Sequence, residues 1–334
     1  MSIIEVKDLE KKYKTSIKES GFKGYIKHLF NPTYVEKIAV NKINFSIDEG
    51  ELVGYIGENG AGKSTTIKML TGLLTPSSGK ILVNGLVPYE KRIKNNKQIG
   101  AVFGQKTQLW WDLPVIESFK LIKKMYDLSD VEYNENLEKF TKILDLKELL
   151  NKQVKNLSLG QKMRCEIAAT FLHNPKVVYL DEPTIGLDIL VKENIRKFIK
   201  DVNSEKKTTV ILTTHDLKDI EEVCDRIILI DKGNIIYDGS KEKFKKSYGK
   251  YVLAEFVINN KKENITAQTY DENFELIEEN EKTLKIKFNH DNSTIVDIAK
   301  IISNYCVVED IHIKEDGLEE ILREIYRGDL VDEL

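Results

Sequence analysis

The 334-residue chain is 31% charged, 41% hydrophobic and 8% aromatic, too apolar for a disordered chain and without the repeats of a fibre. Its 51 basic and 54 acidic residues leave a formal charge of −3, so no overall basic field points to nucleic acid or to an acidic membrane surface. No apolar run reaches the roughly 18–20 residues that span a bilayer, and the opening MSIIEVKDLEKKY lacks the apolar stretch of a signal peptide, so an intracellular protein is expected.

In chain order, Leu52–Ile56 is a short apolar strand, followed by a glycine-rich turn and a helical run, Ser64–Leu74. Val177–Leu180 is a second buried strand, and it runs into Asp181-Glu182. Helical patterns over Ile189–Asn203 and Leu217–Val223 alternate with strands at Thr209–Thr213 and Arg226–Ile230. This alternation predicts an α/β fold with a mostly parallel sheet covered on both faces.

The charge balance then changes. Residues 241–334 hold 14 basic against 21 acidic residues, and residues 1–240 hold 37 against 33. The charged stretch Lys241–Lys250 at the change is read as a domain boundary. Beyond it the pattern predicts strands near Tyr251–Ile258, Phe274–Glu278 and Thr283–Phe288, a helix at Ser293–Tyr305, a strand at Val307–Lys314 and a helix at Leu318–Tyr326. That is a small α+β domain, and it carries no catalytic constellation. Cys165, Cys224 and Cys306 are far apart with no CxxC pair, so buried thiols outside any disulfide or zinc site are expected.

The first motif with chemistry is Gly57-Glu58-Asn59-Gly60-Ala61-Gly62-Lys63-Ser64-Thr65, which fits G-x-x-x-x-G-K-[ST]. Glycines let successive backbone N–H groups point into one concavity and approach phosphate oxygens closely. The helix that follows adds its positive dipole end. Lys63 is expected to reach the β- and γ-phosphates of ATP, and the Ser64 hydroxyl to ligate Mg²⁺. An acidic residue at the carboxyl end of a strand lies beside such a loop. Asp181 is therefore expected to hold the Mg²⁺ shell through water, and Glu182 to poise a water for in-line attack on the γ-phosphate.

With these motifs the sequence resembles the ATP-binding cassette (ABC) ATPase family over residues 1–240. Leu157-Ser158-Leu159-Gly160-Gln161 is similar to the family's LSGGQ signature, with Leu159 in place of the first glycine. Gln105, in GAVFGQKTQLWWDLP, resembles the Q-loop glutamine. Ile185-Gly186-Leu187-Asp188 resembles the D-loop, and His215, in LTTHD, the switch histidine. Tyr13 sits where the family places an aromatic that stacks on adenine. The resemblance implies a phosphate-loop cassette with a helical signature subdomain at about residues 106–172, followed by the C-terminal α+β domain at 241–334. It also implies Gln105 as a further Mg²⁺ ligand, His215 as a catalytic residue, and Ser158, Gly160, Gln161 and Asp188 as contacts to a nucleotide held by an opposing cassette. Residues 14–37 form an insertion beyond a minimal cassette, and Tyr13 is the assignment it unsettles.

In the family two chains sandwich two ATP molecules head to tail, so a second copy is the implied partner. Separate multi-span permease subunits, with this chain at the cytoplasmic face of the membrane, complete the expected assembly. Repair ATPases of the superfamily insert coiled coils or zinc modules, and ribosomal ones carry two cassettes. Neither feature occurs here, so no nucleic-acid partner is expected. Phe103–Pro114, DEPTIGLD and the C-terminal tail resemble the drug-exporter type. The alternative is an exporter of teichoic acid or polysaccharide. Trp110 and Trp111 fall where the family meets the permease. Residues 21–30 of the insertion, placed on a helix, form an apolar arc of about 140° with lysines outside it, which suits docking at a membrane surface or under the permease, the alternative being a surface helix packed on its own cassette.

Overall fold

A computed structural model of the chain describes residues 1–17, 33–104, 106–249, 251–259, 274–289, 292–315 and 317–327. The chain divides into two compact units, Met1–Gly239 and Ser240–Leu334.

The first unit is built on strands of nearly continuous Val, Ile and Leu. Strands β3 (Leu52–Ile56), β6 (Val177–Asp181), β7 (Thr209–Thr213) and β8 (Arg226–Asp231) are buried along almost their whole length, as strands with both faces covered must be. Together with β5 (Ile99–Phe103) and β9 (Asn234–Ser240) they form a six-stranded sheet in the order β5-β6-β7-β3-β8-β9. The β5–β6, β6–β7, β7–β3 and β3–β8 pairs are parallel. Strands β3, β6 and β7 therefore end on the same edge of the sheet.

A second, antiparallel sheet joins β1 (Ser2–Ile17) to β2 (Thr33–Asp48) and β4 (Ser78–Val83). One apolar cluster binds the two sheets. It includes Ile4, Leu9 and Ile47 from the antiparallel sheet, Tyr55 and Ile228 from the parallel one, and Ile67 and Leu70 from the helix Lys63–Leu70. That helix is shorter than the apolar pattern to Leu74 predicts. Gly72 takes φ +78°, and a Cβ there would fall 2.6 Å from the Pro88 carbonyl oxygen, so the chain turns away.

Between β5 and β6 the chain forms helices Val115–Met125, Asp130–Ile143 and Leu159–Phe171. Two of them begin in capping boxes, Ser129 with Glu132 and Ser158 with Gln161, each satisfying two backbone donors reciprocally. Phe140 and Phe171 both meet Phe198, from the helix Ile189–Lys206, edge to face at 5.0 and 5.2 Å.

The insertion is partly visible. Residues 14–17 and 33–37 continue β1 and β2 as antiparallel arms, with Thr15 opposite Val35 and Ile17 opposite Thr33. The amphipathic stretch expected at residues 21–30 lies outside the described residues.

The second unit opens with the helix Lys241–Tyr248, capped by Ser240, with Phe244 and Tyr248 buried. A four-stranded antiparallel sheet follows in the order β11-β12-β10-β13, formed by β10 (Tyr251–Asn259), β11 (Phe274–Glu279), β12 (Thr283–Asn289) and β13 (Val307–Glu315). Strand β12 alternates strictly, with Leu284, Ile286 and Phe288 in the core beside Ile298 and Ile302 of the helix Ile295–Ser303. The helix Leu318–Arg327 completes the unit. All three cysteines are buried and none is in a disulfide. Burial pushes the Cys165 thiol up to about 12, which keeps it protonated and unreactive.

Candidate active site

The loop from Gly57 to Gly62 leaves the end of β3 and enters the helix Lys63–Leu70, and packing dictates the glycines at its two ends. A Cβ at Gly57 would lie 2.2 Å from the Ile230 carbonyl oxygen, and one at Gly62, where φ is +116°, 2.5 Å from that of Ala39. The loop is thus pressed between strands of both sheets, β8 and β2, with its outer side open. That side faces a cavity of about 290 Å³ lined by Tyr13, Lys37, Ala39, Glu58, Asn59, Gly60, Gly62, Lys63, Ser64, Thr65 and Glu182. Ala61 turns the loop from behind: its N–H donates to Glu58 O at 3.1 Å and its carbonyl accepts from Gly233 N–H at 2.9 Å.

Lys63 is buried at the cavity floor. Its Nζ donates to the carbonyl oxygens of Gly57 at 2.5 Å and Glu58 at 3.0 Å. Burial pulls its pKa below the usual lysine value, against the opposing pull of Glu182, Asp181 and Glu58. Its two carbonyl contacts are ones that a phosphate oxygen, carrying charge, could replace.

Next to the loop, strand pairing assembles the acidic end. Asp181 and Thr213 are partners in the β6–β7 register. Asp181 Oδ1 accepts from Thr213 Oγ1 at 2.5 Å and from Ser64 Oγ at 3.5 Å. One residue further, Glu182 N–H donates to Thr213 O at 2.9 Å. Glu182 itself holds φ +59°, a left-handed conformation that is costly without glycine and recurs where function demands it. Its carboxylate meets His215 with Oε1 and Nε2 2.8 Å apart. A carboxylate paired with an imidazole beside a phosphate-binding loop can orient and deprotonate a water.

Tyr13 reaches the same cavity from the antiparallel sheet, where it pairs with Lys37 across β1 and β2. Its ring is 40% exposed, with Lys11 Nζ 5.5 Å from the ring centroid. The expected residues Ser158, Gly160, Gln161 and Asp188 do not line this cavity. Ser158 and Gln161 are engaged with each other's backbone at 3.1 and 3.2 Å at the start of the helix Leu159–Phe171. Asp188 caps the helix Ile189–Lys206 by accepting from Val191 N–H at 3.0 Å. These two helix starts are neighbours: a Cβ at Gly186 would meet Leu159 at 3.2 Å, and one at Gly160 would meet Val191 at 3.5 Å. The Leu159 side chain therefore lies over the Gly186 turn. Gln105 lies outside the described residues. Sequence reasoning missed Thr213 and Lys37. Thr213 could have been found from its place two residues before His215 at a strand end, whereas Lys37 has no local signature.

The profile of a family described as ABC transporter matches residues 40–185. The chain is 36% identical over 220 residues to the energy-coupling factor transporter ATP-binding protein EcfA2 of Clostridium perfringens, a match spanning 64% of this chain and 77% of that protein. The chain belongs to the ABC transporter ATP-binding family. This ABC ATPase is also 37% identical over 208 residues to the linearmycin resistance ATP-binding protein LnrL of Bacillus subtilis, across 62% of its own length and 66% of the relative's. Among solved structures, it matches an ATP-binding cassette captured as a dimer in a post-hydrolysis state with ADP and Pi, with a TM-score of 0.58 and 26% identity over 71% of this chain and 98% of that one. The ABC ATPase fold and ATP as ligand thus agree with the cavity at the glycine loop. Among its described residues no helix is long and apolar enough to cross a membrane.

Proposed function

We propose that the chain is the ATP-hydrolysing motor of a membrane exporter, acting as a head-to-tail dimer on separate permease subunits at the cytoplasmic face of the membrane. The observation that carries the hydrolytic part is the Glu182–His215 pair, 2.8 Å apart, of which Glu182 lines the Lys63 cavity and His215 stands behind it. In this reading Asn59, Gly60, Gly62, Lys63 and Thr65 hold the phosphates, with Gly57 and Ala61 shaping the loop, and Tyr13 stacks on the base. Glu182 removes the proton of the attacking water, and His215 orients that carboxylate and the γ-phosphate. Across the dimer Ser158, Gly160 and Gln161 approach the opposing nucleotide, with Asp188 at the interface beside them. Their absence from the lining of the chain's own cavity supports that reading.

A divalent cation fits the oxygen donors gathered at the sheet edge. Ser64 and Asp181 share a contact there, and hydroxyl plus carboxylate is the donor chemistry Mg²⁺ selects, completed by water and phosphate oxygens. Bound, it would neutralise charge on the β- and γ-phosphates. Gln105 is proposed as a further ligand.

The exporter assignment rests on residues 103–114 and on the likeness to LnrL. The likeness to EcfA2 favours a second reading, an energy-coupling factor transporter. Trp110 and Trp111 are 39% and 52% exposed, which supports their role in meeting the permease. The test is to co-express the chain with the membrane proteins encoded beside it and purify through either partner. A complex with stimulated ATPase activity, lost when Trp110 and Trp111 become alanine, supports a motor subunit. Transport assays on that complex give the direction, and uptake would overturn the exporter reading.

A further inference from the structure

A buried ion pair lies between the two loops that carry Glu182 and His215. Thr184 follows Glu182 by two residues, and Thr214 immediately precedes His215. Both hydroxyls donate to Oδ2 of Asp219, Thr214 at 3.1 Å and Thr184 in a short bond. The other oxygen, Oδ1, accepts from Nε of Arg196 at 2.6 Å and is ion-paired with its Nη2 at the same distance. Asp219 is 1% exposed, and Arg196, Thr184 and Thr214 are buried with it. Arg196 comes from the helix that Asp188 caps, and its Nη1 also reaches Glu222 at 3.1 Å. Thr214 Oγ1 in turn accepts from Asp216 N–H at 3.0 Å, and Asp216 is held by Lys192 at 2.5 Å.

None of these side chains lines the cavity. Nor is stability a sufficient reason for them, because a buried ion pair gains little over well-packed apolar groups of the same volume. What the arrangement supplies is geometry. One carboxylate, oriented by a planar guanidinium through charge-assisted bonds, ties the loop after Glu182 to the loop before His215. It also joins both to the helix that starts at Asp188. Glu182 sits at φ +59°, a conformation that persists only where the surroundings over-determine it. On the reading that Glu182 and His215 act in hydrolysis, we propose that Asp219, oriented by Arg196, is a positioning residue that sets the Glu182–His215 alignment through Thr184 and Thr214.

The test uses the full chain. Thr184→Val removes one hydroxyl at constant volume and leaves the Asp219–Arg196 pair intact, and Thr184→Ser keeps the hydroxyl. Steady-state kcat and KM for ATP, affinity for a fluorescent ATP analogue and Tm are measured for both. The expected result is a fall in kcat of about tenfold or more in the valine variant, with KM and nucleotide affinity within about twofold of the parent. The serine variant should recover most of the rate. Thr214→Val, which cuts the link from the other loop, should lower kcat in the same way and serves if the first variant does not fold. Unchanged kcat per folded molecule, whatever happens to Tm, overturns the proposal. So does a loss that Thr184→Ser fails to restore. A parent protein that hydrolyses no ATP would instead overturn the underlying assignment of Glu182 and His215, and that is read before any variant is made.

Discussion

Glu182 Oε1 and His215 Nε2 stand 2.8 Å apart one and two residues beyond the paired ends of β6 and β7, Asp181 and Thr213. Their contact is a consequence of parallel register, because a slip of one residue would turn each side chain to the opposite face. If Glu182 activates water, Glu182→Gln keeps the size and the polar contact but removes the base. Turnover is expected to fall by about 10²–10⁴-fold while ATP still binds and holds the dimer closed. Hydrolysis at the parental rate would refute the assignment. His215→Ala is expected to slow turnover in the same assay without abolishing nucleotide binding.

The Lys63 ammonium is shared between Gly57 O and Glu58 O. Phosphate oxygens offer it full charges in place of carbonyl dipoles, which is the driving force for binding. Lys63→Ala should weaken ATP binding by at least about tenfold in a nucleotide titration, the effect of losing one charge-assisted contact of about 1.5–3 kcal/mol. Its thermal stability without nucleotide should change little or rise, since a partly desolvated charge is removed.

Tyr13 lines the cavity with its ring partly exposed, as a stacking platform must be before its ligand arrives. Tyr13→Ala should cost the equivalent of one base stack, about 1–3 kcal/mol, read as a weakening of ATP binding of about 5–150-fold. Tyr13→Phe and Tyr13→Trp should bind within a few-fold of the parent. If the alanine variant binds ATP as tightly as the parent, the base lies elsewhere.

His173 gives a prediction about stability. It is buried, stacks on Tyr126 at 3.8 Å between ring centroids, and its Nε2 lies 3.0 Å from Ile99 O. Burial lowers its pKa from 6.5 to about 4, against the pull of the Ile99 carbonyl. The unfolded chain therefore takes up this proton more readily than the folded one. The contribution to stability is complete above about pH 6.5 and is lost as pH falls through the window down to about 4. At about 1.4 kcal/mol per pH unit the loss is about 3 kcal/mol. His173→Gln, which retains a donor for Ile99 O, should flatten the dependence of Tm on pH between 6.5 and 4. An unchanged slope would show that other groups set the acid limb.

The glycine loop and its place between a strand and a helix were legible in the residues themselves. The glycine loop, Lys63 and Ser64 are contiguous, and the strands before and after them announce themselves as unbroken apolar runs. So do the alternating strands and helices of the C-terminal unit, because periodicity is a property of neighbouring residues. Helix length was less so: the apolar pattern continues past Leu70, but the chain leaves the helix there and turns through Gly72 at φ +78°, where Pro88 leaves no room for a side chain.

Tertiary structure decided which distant residues meet. Sheet order places β7 beside β6 and so brings Thr213 to Asp181 and His215 to Glu182. The antiparallel pairing of β1 with β2 carries Tyr13 and Lys37 to the cavity from the far side of the insertion. Burial of Asp219 with Arg196 beneath both loops has no local pattern at all. Local sequence encodes backbone propensity and the side that is buried. The order of strands depends on packing free energy summed over the whole core, and from that order follow the contacts that make a phosphate loop into a site for hydrolysis.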